Sequence, residues 1–439
     1  MEFQFGKEKE KLHIKVYNYY RDMINVGKLK PGQKLPSIRR CAEELGISRT
    51  TAENAYLQLS ADGFVVPKPG SGYYVTDISV KKKETGKKSK TEENKDRIIY
   101  NFSSASADPD SFSFDLWRRY IKSALRQDTK LISYGEEQGE YELREALSQY
   151  LLNKRNAVCS AENIVVGAGV QSILHILCSV LGKRNVYFNG GYFGRGASIF
   201  SDHGWSIEES EENADVIYST PSHPDTTGGI MNVNERIALI RNALENSKII
   251  VEDDYDSEFA YSSRRIPSLQ SLSSGHNTVY IGTLSRLLLP SIRLSFMILP
   301  DELLYRYNQI KINYNQTASK TEQIALSGFI RDGHLDRQIR KLRKLYSLKC
   351  KMLSEVLTEK LSYYLKVVDT ESITHIKIKF TKEIDKEKLD KNLKINGVFI
   401  DLNNNILKEN QFLLSCTSVK SDDFSDVSER ILKSLKQSE

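Results

Sequence analysis

Residues 29–65 read LKPGQKLPSIRRCAEELGISRTTAENAYLQLSADGFV. Pro36 suits the first turn of a helix that runs to Leu45 and stops at Gly46. Ser48 is a natural N-cap for the next helix, on which Ala52, Ala55, Tyr56 and Leu59 form an inward stripe. Arg49, Thr50, Thr51 and Asn54 then fall near its N-terminal outward face, the end from which a recognition helix meets base edges and phosphates. Working outward, residues 12–26 place Val16, Tyr17, Tyr20, Met23 and Ile24 on one face of a preceding helix that ends at Gly27. On the other side, residues 64–66 and 73–76, joined by PKPGSG, make a two-stranded wing. The whole is a helix–turn–helix–wing string carrying Arg39, Arg40, Arg49 and Lys68.

The charge is distributed to match. The chain has 439 residues and a formal net charge of +6. The first 98 residues carry +7 and the remaining 341 carry −1. Residues 81–98 (KKKETGKKSKTEENKDRI) hold eight basic and four acidic side chains and few apolar ones, the composition of a solvated linker. The stretch 77–98 spans at most ~75 Å fully extended and ~26 Å as a flexible coil. A length of 439 residues exceeds what one hydrophobic core serves. The expected division is therefore a module at 1–78, a linker at 79–98 and a large body at 99–439. No run approaches the ~20 apolar residues of a membrane span, and no signal-peptide block opens the sequence. The five cysteines, at 41, 159, 178, 350 and 416, have no C-x-x-C pair. They suggest neither a disulfide framework nor a zinc site, so a reducing, cytoplasmic setting is expected.

The first module resembles the GntR-type winged helix-turn-helix. The carrying residues are PG-x-x-LPS-x-R, LG-x-SR-x-T, AY-x-x-L and the GSG wing, within residues 12–76. The resemblance implies contact with a double-stranded DNA operator through Ser37, Arg39, Arg49, Thr50, Thr51 and the wing around Gly70. Phosphate contacts would position the module and a few side chains would specify sequence.

Beyond the linker, helical and strand-like segments alternate: REALSQYLL, NIVVGA, VQSILHILCSVL, NVYFN, DVIYST, KIIVEDDY, TVYIGT and FMILP. Short Val/Ile runs between helices indicate buried, mostly parallel strands and an α/β architecture. A helical and then α+β section from about Ala318 suggests a smaller C-terminal subdomain. FDLWRRY, SYGEEQGEYELREALSQYL, YSTPSH, IIVEDDYDSEF, VYIGT-x-S, LPSIRLSFMILP and GHLDRQIRKLRKLY occur in the order of the MocR/GabR regulators. In that family the GntR-type module is fused to a pyridoxal-phosphate-dependent transferase-like domain, the aminotransferase fold type I. The resemblance covers residues 101 to 435. It implies that the amides of Gly169, Val170 and Gln171 face a phosphate at a helix N-terminus. It further implies that Tyr192 stacks on the cofactor ring, Asp253 pairs with the pyridine nitrogen and Tyr255 meets the phenolic oxygen. Thr283, Ser285 and Arg293 would hold the phosphate. The resemblance also implies a homodimer arranged head to tail and a small-molecule effector.

Departures from the family pattern bear on activity. The motif GT-x-SK reads GTLSR here, with Arg286 at the Schiff-base lysine. A guanidinium stays protonated and delocalised, so it cannot condense with an aldehyde or shuttle the proton of transamination. The TPSHQ-x-PTG loop reads TPSHPDTTG, altered at Pro224 and Thr226, and the RLGF-like site reads FLLSC (Phe412 to Cys416) without an arginine. The expectation is a regulator without transaminase activity, in which pyridoxal phosphate, if it binds, binds noncovalently. A phosphate-like or other anionic ligand is equally open. Two further readings stand beside this one: a working aminotransferase with an appended DNA-binding module, and a fold kept only as a dimerisation scaffold.

Overall fold

The computed structural model describes residues 11–76, 98–103, 108, 111–189, 194–222, 230–255, 257–259, 266–368, 372–402 and 410–439. Contacts divide the chain into two compact units, Met1–Glu93 and Asn94–Glu439. All but the last residue of the expected 79–98 linker lies outside the described residues.

The first unit consists of α1 (Leu12–Asn25), α2 (Ile38–Leu45), α3 (Arg49–Ala61), β1 (Val65–Lys68) and β2 (Gly72–Val75). The expected stripe of α3 is its core side: Ala52, Ala55, Tyr56 and Leu59 are fully buried, against Val16, Tyr17 and Tyr20 of α1. Pro36 does not enter the first turn of α2. Ser37 is the N-cap, its Oγ accepting from the Arg40 amide at 3.2 Å, while the Pro36 carbonyl accepts from the Tyr56 hydroxyl at 3.0 Å. The physical reason is that a serine oxygen satisfies an orphan helix amide, which a proline ring cannot do. In the wing, the Ser71 amide donates to the Lys68 carbonyl at 2.9 Å and Gly70 has φ +71°. Proline followed by a left-handed glycine is the signature of a type II turn.

In the second unit, a short strand β3 (Tyr100–Asn101) precedes the main sheet. That sheet is built from β4 (Ile164–Gly167), β5 (Asn185–Asn189), β6 (Ser206–Glu208), β7 (Val216–Ser219), β8 (Ile249–Asp254), β9 (Thr278–Thr283) and β10 (Ser295–Ile298). Their order is β4-β10-β9-β8-β7-β5-β6, parallel throughout except for β10, which is antiparallel to both neighbours. Apolar side chains on both faces are covered. Val165, Val216, Val251, Val279 and Ile281 pack with the helix Val170–Leu181, whereas Ile217 and Ile250 pack with Val233–Glu245. Covering on both faces is why these strands read as near-continuous apolar runs.

The smaller subdomain has a three-stranded antiparallel sheet of β11 (Leu365–Val368), β12 (His375–Phe380) and, beyond β13 (Val398–Phe399), β14 (Gln411–Ser415). β13 pairs in parallel with β3. Its core starts later than the expected Ala318. Ala325, Leu326 and Phe329 of the helix Lys320–Arg331, and Leu335 to Tyr346 of the helix His334–Leu361, belong to the core of the large domain. From Leu353 onward that long helix faces the small core, together with Phe102. One helix therefore serves both cores, and a change in helical content along the sequence does not mark the boundary.

A buried ion pair locks the same helix to the start of the body. Lys349 Nζ lies 2.6 Å from Asp108 Oδ2, with side chains 1% and 6% exposed, and also donates to the Thr417 carbonyl at 3.3 Å. Removing one partner of such a pair leaves an uncompensated buried charge. Asp108→Ala is expected to lower unfolding stability by about 3–5 kcal/mol in urea denaturation. The apolar double replacement D108L/K349M is expected to recover most of that loss.

Candidate functional site

The register of β10 assembles one end of the sheet. Gly167 of β4 pairs with Ser295 of β10, and Ser295 pairs with Thr283 of β9. In the parallel run beside it, Asp253 of β8 lies opposite Ile281 and Asp254 opposite Gly282. The carboxyl ends of β4, β8 and β9 and the amino end of β10 thus share a level, the position where open α/β sheets bind ligands.

Gly169 follows β4 and caps the helix Val170–Leu181 with φ +90° and ψ 166°, backbone that only glycine adopts readily. It brings no side chain to cap that helix. A Cβ added there would meet Arg293 Nη2 at 2.6 Å, so the glycine also makes room for the guanidinium. Val170 is half-buried and Gln171 exposed, at the positive end of the helix dipole. Thr317 closes the edge, its Oγ1 accepting from the Ala168 amide at 3.0 Å and meeting Ser172 Oγ at 2.9 Å.

The run Glu252–Asp253–Asp254 is buried throughout, at 0, 5 and 6% exposure. Alternation along β8 sends the first and third carboxylates to one face and the second to the other. Glu252 accepts from the Leu269 and Gln270 amides, each at 2.9 Å, with Arg236 3.9 Å away. Burial, then the Asp254 charge, raises its pKa. Asp254 accepts from the Tyr280 hydroxyl at 2.6 Å and lies 2.8 Å from Arg155 Nη2. Asp253, on the opposite face, accepts from the Tyr218 hydroxyl at 2.5 Å. Burial, then the Asp253 charge, pushes the Tyr218 phenol far up, which keeps it a proton donor.

Arg286 is half-buried, its Cζ 5.7 Å from the centroid of the Tyr255 ring. Tyr346 of the long helix packs edge-on against Phe259, with ring centroids 5.7 Å apart. Burial pushes its phenol up, and the Arg286 charge acts in the opposite direction. Thr283 Oγ1 accepts from Ser295 Oγ at 3.0 Å and from the Ser285 amide at 3.4 Å, while Ser285 Oγ donates to the Ile292 carbonyl at 3.1 Å. These two hydroxyls shape the turn that carries Arg286 and Arg293.

The structure therefore brings together Gly169 with Arg293, Tyr255 with Arg286, and Thr283 with Ser285. Tyr192, Pro224 and Thr226 lie outside the described residues. In FLLSC, Phe412 and Leu414 are buried in the small core. Tyr218, Thr317 and Tyr346 were not singled out from sequence. Tyr218 opens the quoted YSTPSH motif, so its register with the acidic strand end was the available signal.

On the first unit, Arg49, Thr50 and Gly70 are exposed. Ser37 Oγ is engaged as the cap of α2. Arg39 lies 3.0 Å from Glu43 on an open surface, a pairing worth little in water. Thr51 is half-buried, its amide donating to Ser48 Oγ at 3.1 Å. Among the described residues no helix is long and apolar enough to cross a membrane, and no group of three or more His, Cys, Asp or Glu is placed to hold a metal ion.

Gly169→Ala puts a Cβ into the Arg293 guanidinium on backbone that excludes it. It is expected to cost about 1–3 kcal/mol in chemical denaturation. Arg293→Ala in the same background removes the clash and is expected to return only part of that loss, because the backbone strain remains.

Residues 12–75 match the family model for bacterial regulatory proteins of the gntR family. The HTH-type transcriptional regulator YdeL of Bacillus subtilis is 35% identical over 412 residues, covering 89% of this chain and 88% of its own. The probable rhizopine catabolism regulatory protein MocR of Rhizobium meliloti is 28% identical, covering 86% and 83%. Among solved structures, the kynurenine aminotransferase of Pyrococcus horikoshii matches with a TM-score of 0.66 at 21% identity, over 77% of this chain and 91% of that one. An archaeal alanine:glyoxylate aminotransferase matches with a TM-score of 0.68 at 19% identity, over 77% and 91%. These two show the aminotransferase fold of the body. The chain belongs to the MocR/GabR-type transcriptional regulators, in which a gntR-family DNA-binding module is fused to an aminotransferase-like body.

Proposed function

We propose that this regulator senses a small molecule in its aminotransferase-like body, without covalent attachment of pyridoxal phosphate and without transaminase activity. The observation that carries the reading is Arg286 beside the Tyr255 ring, where the resemblance expects the attaching lysine. Bound pyridoxal phosphate would supply an electron-withdrawing ring and an aldehyde. The residues fit holding such a group. Gly169 and Arg293 pack together at an uncapped helix N-terminus, which suits a phosphate. Asp253, buried and oriented by Tyr218, suits a protonated ring nitrogen. They do not fit bonding it, because Arg286 offers no amine that sheds its proton. The buried Lys349 is no substitute, since it is held in an ion pair with Asp108.

A ligand held this way exchanges freely, which suits sensing better than turnover. In the cytoplasm the ligand would shift the body of a head-to-tail homodimer, and with it the spacing of two DNA-binding modules on paired half-sites. The division at 1–78, 79–98 and 99–439 gives that arrangement a reader, a tether and a sensing body.

Two experiments test the reading. After incubation with pyridoxal phosphate and borohydride, the wild-type chain is expected to carry no specific phosphopyridoxyl label by mass spectrometry. Arg286→Lys is expected to gain one label, at position 286. A single labelled pocket lysine in the wild type overturns the claim. Separately, a fragment ending at residue 80 is expected to keep weak DNA binding and lose tight binding to paired half-sites in a mobility-shift titration. Equal affinity of fragment and full chain would remove the body from the role of dimerising element.

A further inference from the structure

Two of the cysteines meet although 66 residues separate them in the chain. Cys350 lies on the helix His334–Leu361, and Cys416 directly follows β14, at the end of the FLLSC stretch. Their Sγ atoms are in direct contact, 2.6 Å apart. Among the described residues no other two thiols lie within hydrogen-bond distance of each other. Cys416 is fully buried, while Cys350 is half-buried and so within reach of a small reagent.

The pair sits where the two cores of the body meet. Cys416 belongs to the small core and Cys350 packs against it. Both thiols face one backbone strap: Cys350 Sγ donates to the Ile373 carbonyl at 3.0 Å, and Cys416 Sγ to the Thr374 carbonyl at 3.3 Å. Ile373 belongs to the large core, and its amide donates to the Phe259 carbonyl at 3.0 Å. Lys349, one residue before Cys350, donates to the carbonyl of Thr417, one residue after Cys416. Helix and strand end are thus already pinned beside the sulfurs, and little movement separates the thiols from bonding.

We propose that Cys350 and Cys416 form a redox modification site, a dithiol that a peroxide converts reversibly into a disulfide fastening the long helix to the end of β14. The half-buried Cys350 sulfur attacks the peroxide. A sulfur–oxygen bond forms, the oxygen–oxygen bond breaks, and the leaving hydroxide takes the thiol proton as water. Cys416 Sγ then attacks the sulfenic sulfur. The sulfur–sulfur bond forms, the sulfur–oxygen bond breaks, and the second hydroxide leaves with the Cys416 proton as water. Two thiols are oxidised and one hydrogen peroxide is reduced. The hydrogen bond with Cys416 and burial raise the Cys350 pKa, against the Lys349 charge, so thiolate is scarce and the reaction slow. A slow reaction answers sustained oxidation and not a brief pulse. The S–H donors to the strap are lost in the same reaction, so a contact with Ile373 is exchanged for a covalent link between helix and strand.

The test treats the full chain with hydrogen peroxide, blocks the remaining thiols with N-ethylmaleimide in denaturant, and maps peptides without reductant by mass spectrometry. The expected product is a crosslink within one chain between Cys350 and Cys416, reversed by dithiothreitol. The crosslinked chain is expected to melt a few degrees above the reduced chain, because joining residues 66 apart removes loop entropy from the unfolded state. C350S/C416S is expected to show no such shift under the same treatment. Recovery of Cys350 and Cys416 as maleimide adducts after oxidation overturns the proposal. So does their recovery as separate sulfinic acids, or a disulfide from either to another cysteine or another chain. A crosslink that leaves the melting midpoint unchanged, or an equal shift in C350S/C416S, overturns the fastening of helix to strand.

Discussion

Strand β10 runs against both of its neighbours, and the candidate pocket depends on that reversal. Because β10 enters the sheet where β4 and β9 leave it, Ser295 sits between Gly167 and Thr283. The chain before Ser295 therefore turns back across the same end, delivering Arg293 to Gly169 and Arg286 to Tyr255. A parallel β10 would enter from the far end of the sheet and place both arginines there. The one-residue precision of strand register makes this arrangement all-or-none, since a slip would exchange the faces of every side chain.

The second constraint is electrostatic. Three consecutive carboxylates in a sheet interior repel and desolvate one another, and the fold separates them by the alternation of a strand. Glu252 and Asp254 turn toward Arg236 and Arg155, while Asp253 faces the other way with a tyrosine hydroxyl. The two outer acids hold the strand end in place, and the middle one is thereby presented from a rigid base. Such support fixes a polar group in geometry that a loop carboxylate would not hold.

Much of this was legible in the sequence. The α3 stripe follows a 3.6-residue period, and Ala52, Ala55, Tyr56 and Leu59 all lie inside. The start of α2 was displaced because proline and serine give adjacent start signals, and only the hydrogen bond to Arg40 separates them. Pairings between distant segments were not legible. Tyr218 and Asp253 are 35 residues apart, and Asp108 and Lys349 are 241 apart, so no local pattern couples them. The subdomain boundary was misplaced because one continuous helix feeds two cores, and helical periodicity is blind to which core a turn faces. Arg286 was visible at once, because a change of functional group needs no structure to be recognised. That it would lie beside the Tyr255 ring was not.

The way the chain enters the body has a mechanical consequence. Its first described strand, β3, is clasped by late parts of the sequence: Tyr100 pairs with Val398 and its hydroxyl donates to Asp426 at 2.8 Å. The Phe102 carbonyl accepts from the Ser415 amide at 2.8 Å. A pull arriving along the backbone from the DNA-binding unit is thus borne first by the small C-terminal subdomain, not by the large sheet. That subdomain shares the His334–Leu361 helix with the large core, in which Tyr346 of that helix packs against Phe259. One continuous helix thus joins the core that holds the attachment point to the core of the large domain.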